Sequence, residues 1–329
     1  MPTKDFTYTS PSRRDRPTRG ITLVRALVCA LIVVLTLASC DRTKSTGSGV
    51  STGSAAQPAP QGPYVALGDS YTAGPDIPEQ VGDPSGCERS SENYPSLVAQ
   101  GLKLTPSEVR DVSCSGATIA DLSKAQVTSD GTNPAQLSAL SASTGIVTLG
   151  FGGNDVDFTS VMTRCVELDM LPVLIDRNGT ADLAPCLDYY SWHGVNQIEQ
   201  KIQAASGQLS VALKQIETRA PHARIFVVGY PALVPDGGST CANTLGITEG
   251  DVKFIYQEEQ SLNSMLRQRA TSAGATYVDT YTPSIGHDAC SDESVRWIEP
   301  LVPASPAAAL HPNARGEQGM AAAVLSDAG

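Results

Sequence analysis

Tyr64-Val65-Ala66-Leu67-Gly68-Asp69-Ser70-Tyr71-Thr72-Ala73-Gly74 is the stretch on which the reading of this chain turns. Its four leading apolar residues predict a short buried strand, and residues 68–74 predict the loop that leaves the strand's C-terminal end. Open α/β sheets place their ligand crevices at that edge, so Ser70 is a candidate nucleophile. Asp and Ser are also favoured helix N-caps, so the same residues suit the start of a helix near Tyr71. The rest of the chain has to separate the two readings.

Outward from this stretch, further strands are expected over residues 108–112, 146–151, 225–229 and 276–279. Between them run helical patterns over residues 92–102, from Thr118, over 251–270 and from Pro312. The clearest places Val195, Ile198, Ile202, Ala205, Leu209, Leu213 and Ile216 on one face. Residues 159–194 are weakly patterned and hold two cysteines, and are expected as an insertion on the rim. Strands alternating with helices imply an α/β fold, a mostly parallel five-stranded sheet covered on both faces as a three-layer α/β/α sandwich. In such a sheet the C-terminal strand ends share one edge, which lets the loops holding Ser70, Gly116 and Asn154 converge.

The chain has 329 residues, 41% apolar and 17% charged, enough for one large domain. Residues 1–39 are set apart. Five arginines precede an apolar run from Ala26 to Leu37, too short for a comfortable membrane span, and Leu37-Ala38-Ser39-Cys40 follows. That pattern predicts a lipoprotein signal over residues 1–39, with lipid attached to Cys40. A Ser/Thr/Gly/Pro tether to residue 62 and a catalytic-type domain over residues 63–329 complete the expected organisation. Residues 1–39 hold six basic and two acidic side chains, so the remainder sets 17 basic groups against 32 acidic ones, a net charge near −15. Such acidity argues against nucleic acid and anionic headgroups as partners. The protein is therefore expected outside the cell, on the outer face of the membrane as a lipoprotein or secreted, as a monomer that meets membrane only through an N-terminal lipid anchor.

Beyond Cys29 and Cys40 the chain has Cys87, Cys114, Cys165, Cys186, Cys241 and Cys290, an even set that reads as three disulfides in an exported protein. Six cysteines allow fifteen pairings. No C-x-x-C spacing supports zinc, and neither a metal nor another cofactor is expected.

A serine hydroxyl needs a base to become nucleophilic. His193 and His222 flank the longest helical pattern as surface residues, and His287 lies in a turn beside Cys290. His311, in Leu310-His311-Pro312-Asn313, sits where a loop meets the last helix and is the candidate base. Glycine at position 116 permits close backbone approach, and Asn154 offers a side-chain N–H donor, the groups an oxyanion hole requires. Singly, each is ordinary turn chemistry. In this order they resemble the motifs of the GDSL, or SGNH, hydrolases, in particular the secreted three-disulfide bacterial esterases and lipases. Gly68-Asp69-Ser70, Gly116, Gly152-Gly153-Asn154-Asp155 and His311-Pro312 carry the resemblance, which runs from Pro63 to the C-terminus.

The resemblance implies a flavodoxin-like sheet, with Ser70 as nucleophile and His311 as base. It places the oxyanion hole at the Ser70 N–H, the Gly116 N–H and the Asn154 side chain. It also implies the sequential pairing Cys87–Cys114, Cys165–Cys186 and Cys241–Cys290. Most members place Asp three residues before the histidine; here that residue is Ala308, so the Ala308 carbonyl is expected to orient His311, with Asp279 and Asp288 as rivals. Two decoys fall away. Gly49-Val50-Ser51-Thr52-Gly53 lies in the tether, where no nucleophile elbow forms. Gly150-Phe151-Gly152 starts like a dinucleotide fingerprint but has Asp155 in place of the third glycine. The function expected is hydrolysis of small-molecule or lipid esters. The alternatives are O-deacetylation of envelope glycans by the same residues, or a non-catalytic surface lipoprotein on this scaffold.

Overall fold

Five strands build the central sheet: β1 (Tyr64–Gly68), β2 (Val109–Asp111), β3 (Ile146–Gly150), β4 (Arg224–Val228) and β5 (Thr276–Val278). They lie in the order β2-β1-β3-β4-β5, and every neighbouring pair is parallel. The computed structural model describes residues 62–175, 183–237 and 239–329. The expected signal, Cys40 and the tether through residue 61 lie outside the described residues.

Nine helices are distinguished among the described residues. They are α1 (Ser70–Ala73), α2 (Tyr94–Gly101), α3 (Phe158–Ile175), α4 (Pro185–Tyr190) and α5 (Gln197–Arg219), then α6 (Ser239–Leu245), α7 (Glu249–Ser272), α8 (Tyr281–Ser284) and α9 (Ala314–Ala328). β1 is apolar on both sides because both sides are covered, as parallel sheets require. Val65 and Leu67 join Val147, Leu149 and Val227 in a core with α5 and α7. Tyr64 and Ala66 join Ile146, Phe226 and Val228 in a second core with α2 and α9. Long helices begin at side-chain caps: Asn196 accepts from the N–H groups of Ile198 and Glu199, Thr248 from Asp251, and Asn313 from Arg315 and Gly316.

Two segments differ from expectation. The helix expected from Thr118 is only the single 3₁₀ turn Ile119–Leu122. Beyond Leu122, Ala125 is exposed and the next large apolar residue, Val127, is 82% exposed, so no buried stripe exists to extend the turn. The weakly patterned residues 159–194, expected as a rim insertion, include most of α3 and all of α4. The inward face of α3 sets Asp169, fully buried, beside Val161, Met162 and Cys165, and the carboxylate interrupts the apolar repeat. Disulfides join Cys87 to Cys114, Cys165 to Cys186 and Cys241 to Cys290. They tie α3 to α4, and α6 to the loop after α8.

β1 and β3 are in register from Tyr64↔Ile146 to Gly68↔Gly150, so both strands end level with each other. The two glycines are there because α1 folds back over them. A Cβ at Gly68 would lie 2.0 Å from Thr72 Oγ1, and one at Gly150 would lie 2.7 Å from it. Gly68→Ala should therefore destabilise the oxidised protein by about 1–3 kcal/mol through overpacking. Gly207→Ala, in exposed helix with nothing within 4 Å of the added carbon, should stabilise it by about 0.5–1 kcal/mol. Urea unfolding of the two variants reads both signs.

Candidate active site

At the end of β1 the ladder continues one residue further, because the Asp69 N–H donates to Gly150 O at 3.0 Å. Asp69 then turns its side chain back, and Oδ1 accepts from the Tyr71 N–H at 2.9 Å. It is the N-cap of α1, and Gly74, at φ 76°, closes that short helix. The capping reading and the strand-end reading thus describe the same structure. Ser70 is the first helical residue, 8% exposed, and its N–H has no acceptor among the described residues. Its hydroxyl donates to His311 Nε2 at 2.8 Å, across 241 residues of chain.

His311 is held by backbone on three sides. The Glu299 N–H donates to His311 O, and the Leu310 N–H to Glu299 O, each at 3.0 Å. Leu310 adopts φ 61°, a left-handed conformation unusual for Leu, and its carbonyl accepts from the Tyr71 hydroxyl at 2.5 Å. That turn corrects one expectation. His311 Nδ1 donates to the Ala309 carbonyl at 2.7 Å, not to that of Ala308. The Ala308 carbonyl is taken by the His311 N–H at 3.2 Å, which closes the turn and aims the next carbonyl at the ring. Neither rival carboxylate bonds the imidazole: Asp279 binds Thr282 and Arg267, and Asp288 caps Cys290. With Nδ1–H fixed, Nε2 is the free lone pair. Burial lowers the His311 pKa from its ordinary value, opposed by the Ala309 hydrogen bond and the charges of Glu88 and Asp76.

The loop after β3 brings Asn154 into the same cleft with Ser70, Tyr71, Tyr230 and His311. Asn154 Nδ2 donates one hydrogen to Ala117 O at 2.9 Å, which orients the amide and leaves its second hydrogen unused. Gly116 does not line this cleft. It occupies the adjoining turn at φ 76°, where the backbone conformation, and not lack of space, calls for glycine. That turn is anchored to β1 by the Cys114 N–H, which donates to Gly68 O at 3.0 Å. Asp155 takes the Ile119 N–H, and burial raises its pKa to about 6.

Sequence reading missed the residues that lock these loops together. Tyr230, just past β4, donates its hydroxyl to Asp69 Oδ2 at 2.5 Å and accepts from the Gly153 N–H at 2.8 Å, so one phenol joins the Ser70 and Asn154 loops. Burial raises the Asp69 pKa to about 7, partly offset by the Tyr230 and Tyr71 hydrogen bonds. Gln136 pairs both amide groups with Gly68, each at 2.9 Å, where β2 has already ended. Tyr71 packs against Tyr230 and His311, with ring centroids 5.1 and 5.0 Å apart. No sequence signal announced these roles, since a lone Tyr or Gln after a strand is ordinary core composition. Among the described residues no group of three or more His, Cys, Asp or Glu side chains is placed to hold a metal ion.

The GDSL-like Lipase/Acylhydrolase family model matches residues 66–318. The chain belongs to this family. Lipase 2 of Streptomyces coelicolor is 39% identical over 272 residues, covering 81% of this chain and 85% of that protein. An esterase of Streptomyces scabiei is 28% identical over 330 residues, covering 92% and 93%. Among solved structures, phospholipase A1 from Streptomyces albidoflavus NA297 superposes with a TM-score of 0.65 at 30% identity, over 82% of this chain and 99% of that one. An extracellular lipase from Streptomyces rimosus has the same TM-score at 27% identity, over 82% and 100%. This GDSL-family chain is a carboxylic ester hydrolase. No helix among its described residues is long and apolar enough to cross a membrane.

The Tyr230 bridge has a measurable consequence. Tyr230→Phe leaves a buried carboxyl and a half-buried N–H each short of a partner, and should lower stability by about 1–3 kcal/mol. Tyr230 is buried while the ring around its hydroxyl is retained in Phe, so the urea midpoint reads mainly the lost hydrogen bonds.

Proposed function

We propose that this hydrolase is exported and cleaves carboxylic esters through an acyl-enzyme on Ser70, with His311 as general base and acid. The observation that supports this most directly is the 2.8 Å contact from the Ser70 hydroxyl to a His311 Nε2 whose opposite nitrogen is pinned to the Ala309 carbonyl. Ser70 Oγ bonds to the ester carbonyl carbon while its proton passes to Nε2. The carbonyl oxygen becomes an oxyanion facing the Ser70 N–H and the free Asn154 amide hydrogen, with the Gly116 N–H, in the adjoining turn, as the third donor that the family resemblance implies. The tetrahedral adduct then collapses: the bond from carbon to the alcohol oxygen breaks, and Nε2–H protonates the departing alkoxide. Water next gives a proton to Nε2 and its oxygen to the acyl carbon. Loss of Ser70 Oγ, reprotonated from Nε2, releases the acid and restores the enzyme.

The basic stretch, the Leu37-Ala38-Ser39-Cys40 pattern and the Ser/Thr/Gly/Pro-rich composition up to residue 62 support attachment of the domain to the outer face of a membrane by lipid on Cys40. The three disulfides and the acidic balance agree with an oxidising exterior.

Ser70→Ala should abolish turnover of p-nitrophenyl esters, and a serine-directed phosphonate should modify Ser70 alone; modification elsewhere refutes the assignment. Asn154→Ala should lower kcat by roughly 100- to 1,000-fold through loss of one oxyanion donor. The acid limb gives an independent check. Because burial lowers the His311 pKa, the neutral base persists below the ordinary histidine range, and kcat/KM should begin to fall only at a pH below about 6.5. Asp279→Asn should leave that limb in place; its loss of activity with the fold intact would return the orienting role to a carboxylate.

A further inference from the structure

Among the described residues only two aromatic side chains are exposed, Tyr189 at 47% and Trp192 at 69%, and they lie in one connection, between α4 and α5. Val195, 44% exposed, closes the same turn, its N–H donating to Trp192 O at 3.5 Å. Gln197 Nε2 donates to Tyr189 O at 3.3 Å and draws the start of α5 against the end of α4. The Arg164 guanidinium lies 5.4 Å from the Tyr189 ring centroid, and the Trp192 ring meets that of His193 at 5.0 Å. Other exposed apolar side chains, such as Val127, Val211 and Val302, stand apart from one another in the sequence and are ordinary surface.

The connection stands at the cleft edge of the sheet. Helix α5 leads into β4, which is parallel to β3, so the helix runs back along the sheet and begins where the strands end. Lys201, near the start of α5, donates to Val156 O at 3.4 Å and pairs with Asp157 at 3.5 Å, in the loop that carries Asn154. The next residue, Phe158, lines the Ser70 cleft and opens α3, the helix that brings Arg164 to Tyr189.

We propose that Tyr189, Trp192 and Val195 dock the domain on a zwitterionic phospholipid surface, a contact beyond the lipid anchor that holds the cleft beside the head-groups. It rests on the export and the Cys40 attachment proposed above. Trp and Tyr are the side chains that favour the boundary between hydrocarbon and head-group, where the ring is desolvated and its polar atom stays wet. The chain itself supplies proximity, because Cys40 stands 22 residues before Gly62, the first described residue, at most about 75 Å of extended backbone. A lipid on Cys40 therefore presents this face to bilayer at high effective concentration. The acidic balance selects among bilayers, since anionic head-groups repel the domain and zwitterionic ones do not.

The sequence has two tryptophans, Trp192 and Trp297, so the difference in emission between the wild type and Trp192→Phe isolates Trp192. With the full oxidised chain on phosphatidylcholine vesicles, Trp192 emission should shift to the blue, and bromine on the acyl chains should quench it by about twofold. Val195→Asp puts a charge in the face and leaves the reporter in place, so it should remove most of the quench. Tyr189→Ser should weaken the quench in the same direction and stands in if the charge at position 195 disturbs the start of α5. Trp192 emission that is the same with and without bromine overturns the docking face; if the chain still floats with the vesicles in a density gradient, the Cys40 anchor survives that result. Quenching that persists in both variants also overturns it. A blue shift with a soluble O-acetylated glycan, and none with vesicles, reassigns the face to glycan and overturns docking on lipid. Neither flotation nor quenching overturns the anchor and the docking face together.

Discussion

Parallel pairing of β1 with β3 is the constraint on which the rest of the site depends. The five-residue register ends with Gly68 opposite Gly150, so two loops leave the sheet at one height and side by side. This is the point where the strand order departs in both directions from β1, the place where doubly wound sheets open a crevice. Helix α1 lies over the paired glycines, and any side chain there would lift it. The position of Ser70 is thus set by backbone pairing and by the absence of two Cβ atoms. A one-residue slip would exchange the faces of every β1 side chain, setting Tyr64 and Ala66 against the core that now receives Val65 and Leu67.

A second layer of control lies in buried carboxyl groups that serve backbone. Asp69 caps α1, Asp155 takes the Ile119 N–H, Glu259 takes that of Leu233, and Glu317 takes that of Tyr94. Each is raised above its ordinary pKa by burial, and each holds a loop or helix end that frames the cleft or the sheet beside it. Glu299 differs. It is fully buried yet lowered in pKa, because Asn313 and the N–H groups of Ala304 and Ser305 bond its carboxylate and Arg296 stands nearby. Its own backbone brackets Leu310 and His311, so the carboxyl of this group whose pKa is lowered is the one that frames the histidine loop.

The parts legible in the sequence were those written in local pattern. β1, β3 and β4 announce themselves by apolar runs, β2 and β5 only by short stretches between turn signals, and α5, α7 and α9 by their stripes and caps. Asp69 and Ser70 were legible twice over, as cap and as strand-end pair, and the structure gives them both characters. What escaped was set by distance or by conformation. Tyr230 meets Asp69 across 161 residues and Gln136 meets Gly68 across 68, and nothing near either residue encodes the partner. The one-residue error between Ala308 and Ala309 comes from Leu310, whose left-handed turn no sequence rule assigns to leucine. Helix α3 was hidden because its buried face includes Asp169, bonded to the Thr248 N–H and hydroxyl, where a periodicity search expects an apolar side chain.

Using a carbonyl where relatives of this fold commonly place a carboxylate follows from the same economy of buried charge. An aspartate beside His311 would need its own set of donors, and the nearby loop N–H groups are already engaged by Glu299 and by the turn at Ala308. The Ala309 carbonyl fixes the tautomer as a carboxylate would, at no cost in desolvated charge. It gives less stabilisation to an imidazolium, which agrees with a His311 pKa lowered by burial. In the proposed mechanism the base is then weaker than a carboxylate-paired histidine, yet remains unprotonated further into acid. More of the transition-state stabilisation must consequently come from the oxyanion donors. The elements that place them are the cap at Asp69, the Ala117 carbonyl that holds Asn154 and the Tyr230 bridge, each fixed by hydrogen bonds between separate loops or turns.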